Sequence, residues 1–260
     1  MIRGRAYAIF WVPPTLQNGS PTSMPALYRT IQENLLTDYP GHSLDNNSTQ
    51  YYQNISGKTY IKSLGGLGGY YVDTRAYPAS GCTDPLTPGN CLSDLQIQRE
   101  VKHVMGLKGW TAGLNHIFLV FTSSGEGSCL GSACAYNYYA PYHGFVSTAS
   151  GPIIYTNKPF ADLTHCQVGG APSPNGDPEG DATASIASHE LTESITDPLL
   201  DAWYTAQGNE IGDLCAYNYG TPTWTRAMRT RCGTATSTCY SRNTIIMSAA
   251  ASRSARRPAR

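Results

Sequence analysis

Residues 115–124 read NHIFLVFTSS, and from Ile117 to Phe121 no side chain is polar. A strand with one wet face alternates apolar and polar residues, whereas an unbroken apolar run is covered on both faces. This stretch therefore predicts a strand at the centre of a sheet. Upstream of it, 94–107 (DLQIQREVKHVMGL) sets Leu95, Ile97, Val101, Val104 and Met105 at helical spacing, and downstream GPIIYTN at 151–157 reads as another strand. Nearer the start, AYAIFWV at 6–12 predicts a buried strand. PALYRTIQENLLTD at 25–38 opens on Pro and repeats Leu27, Ile31 and Leu35 every four residues, an amphipathic helix. The segment 45–92 is rich in Asn, Tyr, Gly and Pro and reads as short strands and loops. Its GGLGG run is expected to form a tight turn, since no GxxxxGK[ST] phosphate cradle is present. The alternation predicts a single α/β or α+β domain with a mostly buried central sheet.

The 260 residues are 40% hydrophobic and 14% charged, which suits a globular domain rather than a disordered chain. No run of eighteen apolar residues occurs, so no membrane-spanning helix is expected. A formal net charge of zero conceals a division: residues 1–224 hold 10 Lys+Arg against 18 Asp+Glu, and residues 225–260 hold 8 against none. An acidic body has little to attract a nucleic-acid backbone, and the basic tail lacks interleaved aromatics, so no nucleic-acid partner is expected. FTSSGEG at 121–127 follows a strand but lacks the GxSxG order of a nucleophile elbow, which argues against a serine hydrolase. With 18 Tyr, 26 Gly and 17 Pro, the composition is that of a loop-rich secreted protein.

The cysteines agree with secretion. Cys82 with Cys91 and Cys129 with Cys134 each bracket a short Gly/Pro/Ser-rich loop, and both pairs are expected as disulfides of an oxidising compartment. Thiolate coordination of zinc is the weaker alternative, because neither pair has CxxC spacing or a His close by. Cys166 and Cys215 would then pair with each other. MIRGRAYAIFWVPP, a short apolar stretch interrupted by Pro13 and Pro14, reads as a first strand rather than as a signal peptide, and the true start is expected upstream of Met1.

The stretch that carries chemistry is 175–215, NGDPEGDATASIASHELTESITDPLLDAWYTAQGNEIGDLC. Asp181 is a suitable N-cap, Ala182 to Thr196 keep a helical pattern, and Asp197-Pro198 ends it. His189 and Glu193 are then i and i+4, stacked on one helix face as in the HExxH helices that seat zinc. Here the motif is HExxE, and a carboxylate oxygen is an acceptable zinc ligand. Glu190, one position round, is placed to act as general base on a water. Catalytic zinc takes three protein ligands, and Glu210 in the later NEIGD is expected to be the third, a comparable later Glu being the ligand in thermolysin-like zincins. Asp213 is expected in the second shell or as an alternative ligand. The bland reading is a helix whose His189, Glu190 and Glu193 are solvated surface groups. Against it stands the concentration of Glu190, Glu193, Asp197, Asp201, Glu210 and Asp213 in a segment with few cations. Calcium at Asn175-Gly176-Asp177 with Asp181 is a further option, although turn and capping roles explain those residues. Of the remaining histidines, His116 reads as a core residue, His165 as a loop residue, and His143 as a possible substrate contact.

These residues resemble the EXORDIUM and phosphate-induced protein family of secreted plant cell-wall proteins with bacterial and fungal relatives. The resemblance is carried by SCLGSACAYNYYAPYHG, SPNGDPEGDATASIASHELTES, TDPLLDAWY and NEIGDLCAYNYG, in that order, and for the bacterial branch by LGGYYVDTRAYPASGCTDPLTPGNCLSDLQIQREV and GLNHIFLVFTSSGEGSC. It extends over about residues 5–224 and implies secretion and an association with the wall, without fixing an activity. After Trp224 the chain departs from the family: relatives close on a Trp-Asn-Gly-His strand pair, whereas 225–260 is an atypical basic tail. Read one base out of frame, residues 226–247 can encode a family-like ending. A frameshift near residue 225 or a disordered tail is therefore expected. Resequencing the gene is expected to find the shifted frame, and an intact frame would overturn that reading.

Two functions follow. One is a secreted zinc-dependent hydrolase of peptide bonds, with His189, Glu193 and Glu210 on the metal and Glu190 activating water. The other is a non-catalytic extracellular or cell-wall-associated protein for binding or signalling, its Tyr and Asn side chains meeting polysaccharide.

Overall fold

The structure, a computed structural model, describes residues 1–54, 56–161 and 173–216, together with the backbone of 238–241 and 244–247. In chain order the elements are β1 (Arg5–Trp11), α1 (Ala26–Asp38), α2 (Ser43–Ser48), β2 (Tyr52–Asn54), β3 (Lys58–Tyr60), β4 (Leu67–Asp73), β5 (Cys91–Ser93) and α3 (Asp94–Lys108). Then follow β6 (His116–Thr122), β7 (Gly127–Leu130), β8 (Ala133–Cys134), β9 (Tyr142–Thr148), β10 (Gly151–Lys158), α4 (Pro178–Thr196), β11 (Thr238–Ser241) and β12 (Thr244–Met247).

The main sheet has five strands in the order β4-β1-β6-β10-β9. The apolar strand at 115–124 is its middle member, as its composition predicts. β4, β1, β6 and β10 are parallel, and β9 joins β10 antiparallel at the edge. Successive side chains point to opposite faces of a strand, and both faces are covered. On one face Ala6, Ala8, Phe10, Leu119, Phe121 and Ile154 pack under Ile31, Leu35 and Leu36 of α1 and Ala184, Ala187, Leu191 and Ile195 of α4. On the other, Ile9, Trp11, Phe118, Val120 and Ile153 pack against Ile97, Val101, Val104 and Met105 of α3. This mixed α/β architecture is the fold class that the alternation predicts.

Local signals set the helix ends. The Gln96 side chain accepts the Ser93 N–H at 2.8 Å at the start of α3, and Gly109 closes it in the left-handed region. The cap of α4 differs from expectation. It is Asp177, whose Oδ1 accepts the Gly180 N–H at 2.9 Å, rather than Asp181. Pro178 is the reason, since its fixed φ suits the first helical position and starts the helix one turn early. Asp181 instead accepts from Ser173 Oγ at 2.6 Å and the Asn175 N–H at 3.0 Å, so turn and capping bonds engage the carboxylates considered for calcium.

The two short cysteine loops are closed by disulfides, Cys82–Cys91 and Cys129–Cys134, and the pairs touch, with Cys91 Sγ 3.4 Å from Cys129 Sγ. They staple the small β5-β7-β8 sheet beside the main one. Disulfide sulfurs offer no thiolate to a metal, which removes the zinc-thiolate alternative for these four residues. Cys166, and with it the expected Cys166–Cys215 pair, lies outside the described residues, as do His165 and most of the basic tail. Among the described residues no helix is long and apolar enough to cross a membrane.

The tight turn expected at GGLGG does not form. Gly65 and Gly66 lie in irregular chain, Gly66 with φ 81°, and Gly68 and Gly69 already belong to β4, with Gly69 paired to Tyr7 of β1 and Gly68 at a register shift of that pairing. A Cβ on Gly68 would lie 2.5 Å from the Tyr7 ring. That ring is stacked on Phe118 at 5.3 Å and tilted on Trp110 at 4.7 Å, so it has little room to give way. Gly68→Ala is expected to lower stability by about 1–3 kcal/mol through overpacking, read as a shift in urea midpoint with unchanged slope; an unshifted midpoint would disprove the fit.

Candidate functional site

The C-terminal ends of the parallel strands are where ligand crevices form in open α/β sheets. Here β10 ends in Asn157 and Lys158, and because β9 runs antiparallel, its first residues come to the same end, with Thr156 opposite His143. α4 lies across this corner, and almost its whole surface is buried, which is unusual for a helix holding three ionisable groups in five residues. Glu190 and Glu193 are 5% and 4% exposed. The reading of them as solvated surface charges is thereby excluded.

Their partners come from three directions. On the β9 side, His143 Nδ1 is 3.0 Å from Glu190 Oε2 and 4.0 Å from Glu193 Oε2. His143 Nε2 lies 3.2 Å from the Asp197 carbonyl oxygen, which only accepts, so Nε2 carries a proton. From β10, fully buried Lys158 approaches Glu190 and Glu193, its Nζ making no hydrogen bond to the described protein atoms. On the outer side, His189 Nε2 is 3.1 Å from Glu193 Oε1 and 3.5 Å from Asp213 Oδ1.

The segment after α4 closes the site. Asp197 Oδ1 accepts the Asp201 and Ala202 N–H groups at 2.8 and 3.1 Å and so turns the chain back. In that turn Leu200 and Trp203 hold φ of 55° and 65°, a region that residues with a Cβ seldom occupy. Trp203 is anchored edge-to-face against Tyr51 and Tyr52, at 5.0 and 5.1 Å. The returning strand of chain brings in Glu210, whose N–H donates to Asp213 Oδ2 at 3.0 Å. Gly212 lies flat against the site: a Cβ there would sit 2.6 Å from Glu193 Oε1 and 2.9 Å from His189 Nδ1.

Burial and charge act against each other in this corner. Burial alone would raise Glu190, but Lys158 first and His143 next outweigh it and hold the carboxyl well below its usual range. Burial likewise would lower His143, yet the bond to Glu190 lifts it to about 9. Lys158 goes the other way, its desolvation bringing it down to about 7 against the attraction of Glu190 and Glu193. Glu193 and Glu210 are raised by burial, Glu210 to about 8.

Two sets of donor atoms converge within 4.8 Å of one another: His189 with Glu190 and Glu193, and His143 with Glu193 and Glu210. Glu193 belongs to both. The expected trio of His189, Glu193 and Glu210 is thus gathered through Glu193 rather than as one closed set. Asp213 borders His189 from the exposed side, with 44% of its side chain accessible. His143, expected as a substrate contact, is instead buried under α4. Sequence reasoning missed its nearness to Glu190 and missed Lys158 altogether. Both lie on an antiparallel edge pair whose register no local pattern announces, although a lysine closing the apolar run GPIIYTNK was a visible signal.

Against known proteins, the chain is 43% identical over 51 residues to Protein EXORDIUM-like 5 of Arabidopsis thaliana, 18% of this chain and 14% of that protein. It is 45% identical over 53 residues to Protein EXORDIUM-like 3 of the same plant, 19% and 16% respectively. The chain therefore matches about one sixth of the length of these curated relatives, and the resemblance read in the sequence is found over that part. No family model matches the chain, and no solved structure matches it significantly.

The Asp197 turn makes a measurable prediction. Asp197→Ala removes the acceptor of two backbone N–H groups in a fully buried position and is expected to cost about 1–3 kcal/mol, with faster amide exchange over 200–212. Asp197→Asn, which keeps one oxygen, is expected to lose less; equal exchange in all three proteins would show that the turn is held by something else.

Proposed function

We propose that this chain is an extracellular EXORDIUM-like protein whose α4 site binds zinc and hydrolyses peptide bonds. Glu193 anchors the ion, His189 and Glu210 complete the protein ligands, and Glu190 is the general base. The observation that carries the reading is Glu193 itself. It is buried among carboxylates and imidazoles and shared by both donor sets, and its Oε1 meets only a charge contact, with His189 Nε2 at 3.1 Å, that lacks hydrogen-bond geometry. A buried carboxylate oxygen so weakly met is costly, and a cation answers that cost. Glu210 Oε1 is buried and accepts no hydrogen bond from the described protein atoms. Zinc bound there would polarise a carbonyl and acidify a water. The chain's own groups supply the rest: Glu190, kept ionised beside Lys158 and His143, can take the proton of the attacking water, and Asp213, which faces the same His189 nitrogen as Glu193, is placed as an alternative ligand rather than as the group that orients the ring. The two disulfides and the partial likeness to EXORDIUM-like proteins support an extracellular location.

Lys158 favours a second reading, in which the same site is not catalytic. A buried ammonium already balances part of the carboxylate charge, and with His143 it lets α4 stay folded without any ion. The protein would then be an extracellular binding or signalling protein, with peptide or polysaccharide partners met elsewhere on its surface.

Metal analysis of the full chain separates the two. About one zinc per chain, absent from the His189→Ala, Glu193→Ala double variant, is expected. In a peptide-library assay Glu190→Gln is expected to keep the zinc and lose about 10²–10⁴-fold in activity. A wild-type chain that takes up no zinc would sink the hydrolase reading. Retention on polysaccharide that Glu190→Gln leaves unchanged would then favour the second.

A further inference from the structure

We infer that His143 is a ligand of the ion at this site, through Nδ1, so that the centre carries two imidazoles and two carboxylates and keeps a fifth position for water. The inference rests on the metal reading above and extends it, since His143 lies on an edge strand far in sequence from the HExxE helix.

The first support is distance. Donors bonded at about 2.1 Å in a tetrahedral arrangement are roughly 3.4 Å apart, and the donor atoms of His143, Glu193 and Glu210 lie within 4.8 Å of one another. Small side-chain shifts would bring these three onto one ion, whereas His189, grouped with Glu193 but not with His143 or Glu210, has to turn further to join them. The second is orientation. A metal-binding imidazole usually gives its other N–H to a carbonyl or carboxylate, which fixes the ring and its tautomer. His143 already does so: Nε2 faces the Asp197 carbonyl at 3.2 Å, leaving Nδ1 as the nitrogen turned toward the carboxylates. The third is rigidity. His143 is held in the β9 ladder opposite Thr156, while Asp197 is fixed by the turn that follows α4. The ring is thus set by backbone on both sides. The fourth is the pair of buried oxygens without a hydrogen bond in the same corner, Glu210 Oε1 and Glu193 Oε1, the latter more than nine-tenths buried and met only by the His189 Nε2 charge contact at 3.1 Å.

Coordination at Nδ1 requires the proton that this nitrogen shares with Glu190 Oε2 to leave to solvent. It also releases Glu190 from its 3.0 Å contact with the imidazole. The same event therefore frees the carboxylate that the hydrolase reading needs as a base. In this arrangement four protein donors fill a tetrahedron, and a water enters only by expansion to five-coordination, which zinc permits.

The test is a titration of the full chain, freed of metal by chelation, with zinc alone, followed by imidazole ¹⁵N spectra and by the zinc dissociation constant. The His143 Nδ1 resonance is expected to move from protonated to metal-bound while Nε2 stays protonated. His143→Ala is expected to weaken zinc by more than about 100-fold, beyond the 10–100-fold typical of an outer-shell partner. Glu190→Gln, which alters the neighbour of His143 but removes no ligand, is expected to stay within that lesser range. Circular dichroism and urea midpoints establish that each variant is folded; if His143→Ala does not fold, the ¹⁵N shift in the wild-type chain decides alone. Zinc binding with an unmoved Nδ1 resonance overturns this inference and leaves the hydrolase reading standing. No zinc binding by the wild-type chain overturns both.

Discussion

Everything in the corner between α4, β9 and β10 depends on one constraint: α4 is buried nearly all round, yet it holds His189, Glu190 and Glu193 within five residues. An amphipathic helix turns such groups to water. This one cannot, because one side lies on the sheet and α1, and the 197–213 segment is folded over the other. The carboxylates must be answered inside the protein. Each neighbouring feature follows from that demand: a lysine at the end of β10, a histidine at the start of β9, and a glycine where the returning chain presses on Glu193.

Charge compensation here is incomplete. Glu190 has His143 at 3.0 Å and Lys158 nearby, whereas Glu210 keeps a buried oxygen without a hydrogen bond and Glu193 Oε1 has only the His189 Nε2 contact at 3.1 Å, without hydrogen-bond geometry. Removing one partner of a buried pair is strongly destabilising, and a well-packed apolar substitute would often serve stability as well or better. A group of this kind is a poor investment for folding alone. Strain in the adjoining turn points the same way: Leu200 and Trp203 occupy the left-handed region, and such positions persist only where surrounding contacts enforce them. Trp203 has those contacts in Tyr51 and Tyr52.

The sheet was legible because its signal is local and strong. The apolar run 117–121 specifies a doubly covered strand, and the four-residue repeat of 27–35 places Ile31 and Leu35 on the packed face of α1, although its first member, Leu27, is exposed and Tyr28 packs in its place. The two disulfides were legible because each loop is short. The start of α4 was misjudged by one turn since two aspartates compete to cap it and only Pro178 decides between them. The GGLGG run was misjudged because its glycines answer to a tertiary fact, the Tyr7 ring, which no neighbour in sequence reveals. In the site, the i, i+4 pair His189 and Glu193 was legible from helix geometry, but His143 and Lys158 required knowledge that an antiparallel strand pairs at the edge of a parallel sheet.

That edge pairing has a chemical consequence. Parallel strands present their C-terminal ends to a crevice, and side chains there come one per strand. Adding one antiparallel strand brings an N-terminal end to the same place, so His143 and Lys158 reach α4 from adjacent strands. One places an imidazole nitrogen against the carboxylates, and the other places a buried amine behind them. An ion bound as proposed would contend with the Lys158 ammonium for the same two glutamates. Burial disfavours the charged form of that lysine, while Glu190 and Glu193 favour it. A lysine in that position therefore offsets part of the carboxylate charge of α4 from behind, inside the fold.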